Sequence, residues 1–253
     1  MEGVEDIPGV TLAEGIRLSL SIISSFILML PVTWICMGAR RRKDVSQSFA
    51  LDNGAFSVWK RGGELDIEGL YEWYGENFKH PNCDWAVIPD VIEGTEKQND
   101  ELLKGWPFWR WQGVPVWHYH ESLGRLTRLC ESWPRVALGS SGEWPNPGTP
   151  SWWGRTAEAM KAACDDEGRP LCKLHGLRML NPAIFRHMPL ASADSTNAVR
   201  NCRDGPAWNG RYKPPHQWLR ATVIAERVEV NQSSARWVKA PKRERKPASS
   251  LFD

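Results

Sequence analysis

Short apolar runs, each closed by an acid, punctuate the middle of the chain. Ser48-Phe49-Ala50-Leu51 ends in Asp52, Trp85-Ala86-Val87-Ile88-Pro89 in Asp90, and Pro189-Leu190-Ala191-Ser192-Ala193 in Asp194. Runs of this length, bounded by Gly and polar residues, read as buried strands. Further strands are predicted at Val114–Trp117, Val136–Leu138 and Leu171–Leu174, with an N-terminal one somewhere in Ile22–Ile35. Helical spacing predicts helices over Ile67–Phe78, Thr95–Lys104, Ser122–Ser132, Ser151–Cys164 and Trp218–Val228. Asp66 and either Thr149 or Ser151 are the expected N-caps, and Gly168-Arg169-Pro170 an expected helix stop. Strands that alternate with helices imply a parallel sheet with crossover connections. About seven strands in this length approach the eight of a closed barrel. The expected fold is therefore α/β, a (β/α)8 TIM-like barrel in a single domain over residues 1–235, with a flexible basic tail over 236–253.

Composition changes this picture little. The chain is 42% hydrophobic and 25% charged with a net charge of +2, an ordinary globular balance that carries no global basic field. The charge is uneven, since Lys239 to Lys246 holds five basic residues and one acid. Lys242, Arg243 and Arg245 in that run are candidate phosphate contacts, and so is the Arg40-Arg41-Arg42-Lys43 cluster; a solvated tail and a solvated turn are the plain readings. Fifteen Trp is high for 253 residues. Clustered Trp can stack on bases, but it more often fills cores and interfaces. The six Cys are scattered with no C-x-x-C pair, so neither a disulfide framework nor a thiolate zinc site is expected, and a reducing, cytoplasmic location is. Leu18 to Met37 lacks charge and is long enough to span a membrane. Its Ser, Thr and Pro content and the acidic segment before it favour a buried strand and turn, so no membrane partner is expected.

The candidate chemistry lies at strand ends. Asp52-Asn53-Gly54-Ala55-Phe56, Asp90, His118-Tyr119-His120, Gly139-Ser140-Ser141-Gly142, His175-Gly176 and Asp194-Ser195 all follow their strands. Barrel enzymes build their sites at that face. Each has a plainer reading: Asp52 as a turn residue before Asn53-Gly54, Asp90 as a cap for the next helix, Asp194 as a cap for a following turn, His175 as a core histidine. His118 and His120 also share one face of a strand. With His175 and Asp194 they offer a metal-dependent hydrolase as a rival.

Taken in order, these strand ends resemble the tRNA-guanine transglycosylase superfamily, most closely its phage and bacterial branch that inserts 7-deazaguanines into DNA. Asp52-Asn53-Gly54-Ala55-Phe56 is similar to its D-S-G-G-F element, and Asp90 falls where the family has an acid that reads guanine. Val136-Ala137-Leu138-Gly139-Ser140 is similar to A-L-G-G, His175-Gly176-Leu177 to H-x-x-G, and Ser192-Ala193-Asp194-Ser195 to S-x-D-S, with Arg200 resembling a following Arg. The likeness runs from about residue 48 to 203. Two features depart from it. Only Cys202 and His216 stand where the tRNA enzymes carry a C-x-C-x2-C…H zinc site, and the chain has no room for an added RNA-binding domain.

The resemblance implies that Asp194 is a nucleophile at C1′ and that Asp52 moves protons between outgoing guanine and incoming base. It implies that Asp90 binds the donor edge of the purine, with Gly139 and Ser140 offering backbone N–H groups to O6. His118 and His175 fall among the base-binding residues, and Phe56 or Tyr119 could stack on the purine. Arg200 joins the tail as a nucleic-acid contact. The expected partners are DNA, with tRNA second, and a 7-deazaguanine base such as 7-cyano-7-deazaguanine as co-substrate. No metal and no cofactor are expected. The alternatives are a tRNA enzyme, the metal-dependent hydrolase and a non-catalytic DNA-binding protein.

Overall fold

The computed structural model describes residues 48–195 and 208–237. The N-terminal strand expected within Ile22–Ile35, Arg40 to Lys43, Arg200, Cys202, Lys242, Arg243 and Arg245 lie outside the described residues.

In chain order the elements are β1 (Phe49–Leu51), α1 (Ala55–Lys60), α2 (Ile67–Phe78), β2 (Cys83–Val87), α3 (Glu96–Lys104), a short 3-10 turn (Arg110–Gln112), β3 (Gly113–Val114), β4 (Val116–His118), α4 (Leu123–Ser132), β5 (Arg135–Gly139), α5 (Pro150–Ala163), β6 (Lys173–Gly176), α6 (Pro182–Phe185), β7 (Leu190–Ala193) and α7 (Gln217–Glu229). Helix starts follow cap chemistry. Asp66 accepts from Gly69 N, Ser122 from Arg125 N and Thr149 from Trp152 N, while Thr95 and Gln98 close a reciprocal capping box.

Every strand pairing is parallel: β1 with β2, β2 with β3, β4 with β5, β5 with β6 and β6 with β7. β3 and β4 are two halves of one strand path interrupted at Pro115, which has no N–H for a ladder. Ile88 N donates to Val114 O on one side, and Ala137 N to Pro115 O on the other, both close to 3 Å. The strands therefore stand in sequence order without reversal, an α/β domain with parallel strands and helical crossovers. A strand is found at each of the six places expected within the described residues, but a complete eight-stranded barrel is not shown. The described residues supply seven strand segments at six sheet positions.

Period-2 alternation gives the sheet two buried faces. Leu51, Ala86, Trp117, Val136, Leu138 and Leu174 pack under the helices. Ala50, Trp85, Val87, Val114, Val116 and Ala137 form a separate cluster on the other face. That face is concave, because Trp85 on β2 meets His175 on β6 edge-on with ring centroids 5.0 Å apart. Arg135 also lays its guanidinium over Trp85 and reaches Ser192 of β7. The same alternation continues into the strand ends: Asp52 follows Ala50, His118 follows Val116, Gly139 follows Ala137 and Asp194 follows Ser192 on the concave side.

Two expected strands shift along the chain. β2 starts at Cys83 rather than Trp85, and β6 covers Lys173–Gly176 rather than Leu171–Leu174. Residues 170–172 close the turn after α5 instead, through a Cys164–Pro170 bridge and a Leu171 N to Ala163 O bond. The Trp residues divide. Trp117 and Trp152 are fully buried, whereas Trp109 and Trp111 are exposed on the segment entering β3, at the end of the sheet opposite the acids.

Candidate active site

The three acids that close the apolar runs face a common space. The N–H groups of Asn53 and Gly54 cradle the Asp52 carboxyl at the end of β1. Burial, then the negative charge of Asp194, push its pKa up to about 7; the Gly54 N–H pulls down, Asp90 adds to the rise, and the Asn53 N–H pulls down. Asp194 accepts a hydrogen bond from the backbone N–H of Arg178, and burial pushes its pKa up to about 6, against the pull of that N–H and of the Arg178 charge. Both residues keep some solvent contact, with protein crowding their carboxyls on most sides.

Asp90 is held from two directions. Asn53 Nδ2 donates to its Oδ1 at 2.5 Å and His118 Nε2–H to its Oδ2 at 2.7 Å. Each oxygen keeps a lone pair, so an oriented carboxylate remains able to accept from a ligand. It does not cap the next helix, which Thr95 starts. Asp52 does act as a turn residue, its carboxyl accepting from Gly54 N two residues on, and Asn53 Oδ1 continues the pattern by accepting from Ala55 N. Asp194 reaches across to the loop after β6.

His118 closes β4, pairs in register with Gly139 and is almost fully buried. Among the described residues its Nδ1 has no hydrogen-bond partner. A Cβ on Gly139 would lie 3.1 Å from that nitrogen and 3.1 Å from Val116 Cγ1, so the glycine lets the ring approach the strand. Gly139→Ala is expected to push His118 off Asp90 by a few tenths of an ångström and to cost about 1–3 kcal/mol, as overpacked sites do. Urea melts against the parent check the second point, and a parent-like melt would mean the ring has slack.

Ser140 points its hydroxyl at the indole N–H of Trp152, 2.9 Å away. Phe56, on α1, is 46% exposed, with the Arg178 guanidinium 5.3 Å above its ring. Tyr119, its expected alternative as a stacking residue, faces the helices instead. It stacks on Trp152 at 5.4 Å and shares a hydrogen bond with Thr156, so alternation takes it out of the site. His175 lies a layer below, in register with Ala137 and Ser192, about 6–7 Å down the strands from the Gly139 level. It is fully buried and shares a hydrogen bond through Nδ1 with Ser192 Oγ. Burial, with Arg135 nearby, lowers its pKa to about 3.

The His118 and His120 rings stack with centroids 5.6 Å apart, but each of the three histidines is bonded to a different partner. His118 binds Asp90, His120 shares its nitrogens with Ser141 Oγ and Gly94 O, and His175 binds Ser192. Among the described residues no group of three or more His, Cys, Asp or Glu is arranged to hold a metal ion. No described helix is long and apolar enough to cross a membrane.

Sequence reasoning overlooked Asn53 and Arg178. Asn53 reads as half of an Asn-Gly turn, yet its amide also binds Ile88 O and Asp90. Arg178 is the one non-glycine residue with positive φ (61°) among those described. Such backbone is costly and clusters at functional sites. Nothing in the sequence marks it. Compared with known protein families, curated proteins and solved structures, the chain matches none.

Proposed function

We propose that this chain is a base-exchanging glycosyltransferase that replaces guanine with a 7-deazaguanine in nucleic acid, DNA before tRNA. We also propose that its parallel sheet belongs to a (β/α)8 barrel. One observation carries the reading: Asp52 and Asp194 share one crowded space with pKa values raised to about 7 and about 6. Between about pH 6 and 7 such a pair shares one proton and one charge, and we assign the proton to Asp52 and the charge to Asp194. That division suits an acid beside a nucleophile.

In the reaction the Asp194 carboxylate attacks C1′ and the C1′–N9 bond breaks, leaving a glycosyl ester, while Asp52 gives its proton to the departing guanine. The incoming base then passes its N9 proton to Asp52 and attacks C1′, expelling Asp194. Two inversions give net retention, as in retaining glycosidases. Asp90 accepts N1–H and the exocyclic amine of the purine, with His118 and Asn53 orienting it. Phe56 stacks on the base. Duplex DNA hides C1′ and the base edge, so the target nucleotide has to be extruded or already unpaired.

The test is incubation of the full chain with labelled guanine or 7-cyano-7-deazaguanine and either DNA or tRNA, followed by nucleoside mass analysis. Label in deoxynucleosides is the expected result. Label in tRNA alone would reassign the substrate, and label in neither would end the transglycosylase reading.

A further inference from the structure

The buried ionic group beneath the site has a job that neither packing nor the proposed chemistry accounts for. The Glu121 carboxylate is fully buried. Its Oε2 accepts from the backbone N–H of His118 at 2.9 Å and from Arg125 Nη1 at 2.6 Å; its Oε1 accepts from Asn99 Nδ2 at 2.9 Å. Asn99 in turn clasps Val91, accepting its N–H at 2.8 Å and donating to its carbonyl at 3.3 Å. One carboxylate and one amide thus tie the residue after Asp90 to the backbone of His118, whose ring meets Asp90 from the other side. His120 fixes the far end of the same loop at Gly94 O. Buried ion pairs add little stability over apolar replacements of similar size. What this one supplies is a fixed distance between two strand ends.

We propose that Glu121 and Asn99 are positioning residues that set the Asp90–His118 pair for a planar ligand edge; the ligand's being a purine rests on the function proposed above. The pair has a signature independent of activity: His118 Nε2–H, buried and bonded to a carboxylate, gives a slowly exchanging downfield proton resonance. Asn99→Ser and Glu121→Gln are expected to abolish it in protein that still melts cooperatively. They are also expected to raise KM for the free base on the order of 10²-fold at nearly unchanged kcat, the scale of a 1 Å misplacement. Thr156→Val, which removes an equally buried hydrogen bond to Tyr119, is expected to lower stability and keep the resonance. If Glu121→Gln does not fold, the milder Asn99→Ser decides. A folded Asn99→Ser protein that keeps the resonance and the parent KM overturns the proposal, as does loss of the resonance in Thr156→Val. If the parent exchanges no base yet the resonance vanishes in Asn99→Ser, the positioning role stands and the transglycosylase reading falls.

Discussion

Asp194→Asn is expected to abolish the covalent adduct and to cut base exchange by several orders of magnitude, the scale seen when catalytic nucleophiles are removed. The substitution is conservative in every respect but one. The amide keeps a side-chain oxygen that can accept from Arg178 N, and it fills the same volume at the end of β7. It loses the negative charge that attacks C1′. Nucleic-acid binding should survive, because the amide oxygen can keep the bond from Arg178 N that holds that loop and the residues assigned to the base, Asp90, His118 and Phe56, are untouched. Denaturing electrophoresis with DNA and a trapping base reads the adduct, and a filter or gel-shift assay reads binding. An Asp194→Asn protein that forms adduct as well as the parent does would remove Asp194 as nucleophile, and with it the main support for base exchange.

Much of this site was legible because strand alternation and strand direction are local properties. Phe49–Leu51 and Leu190–Ala193 were readable to the residue. The acid after each then falls on the concave face by the same period that turns Ala50 and Ser192 toward it. Ile67–Phe78 was readable for a similar reason, since Asp66 both reads and acts as its N-cap. The illegible parts depend on long-range pairing. β6 begins two residues late because Pro170 is drawn back to Cys164. α1 is one short helix launched by Gly54 in the left-handed region, too short to show a period. Tyr119 was placed in the site by its neighbours in sequence and removed from it by the alternation that keeps His118 there. Asn53 is read as a turn residue and Asn99 and Glu121 carry no motif; their roles come from the Asn53–Ile88 and Asn99–Glu121 hydrogen bonds, across 35 and 22 residues of chain.

The two ends of the sheet have different character. Acids, histidines and the Gly139–Ser140 turn stand at one end. At the other, Trp237 donates its backbone N–H to Gly168 O, Ser233 accepts from Leu190 N, and the described chain ends there. The basic run that starts at Lys239 follows directly in sequence. On the proposed reaction, Arg178, beside Asp194 and Phe56, is a described cation placed for a phosphate next to the reacting sugar.

Asp52→Asn should separate chemistry from stability. Exchange is expected to fall by about 10²–10⁴-fold, the usual contribution of a general acid–base group. Adduct should still form slowly and then persist, because the incoming base finds no acceptor for its N9 proton. In the parent, activity needs Asp194 ionised and Asp52 protonated. kcat/KM is thus expected to rise with pH through about 6 and fall through about 7, values that belong to the coupled pair. Asp52→Asn should erase the alkaline limb. Stability should move the other way. The folded pKa of Asp52 is raised from the ordinary 3.8 to about 7, so the native state holds a proton that the unfolded chain gives up. The parent's advantage from that proton is complete below about pH 4 and is lost as pH climbs through 7. At pH 8 the Asn variant, free of the buried charge, should be more stable by roughly 1–3 kcal/mol, an amount reduced by the solvent contact Asp52 retains. At pH 4 the two should converge. Urea melts at both pH values measure this. A variant no more stable at pH 8 than at pH 4, relative to the parent, would mean that Asp52 ionises without penalty and is not the proton carrier assigned to it.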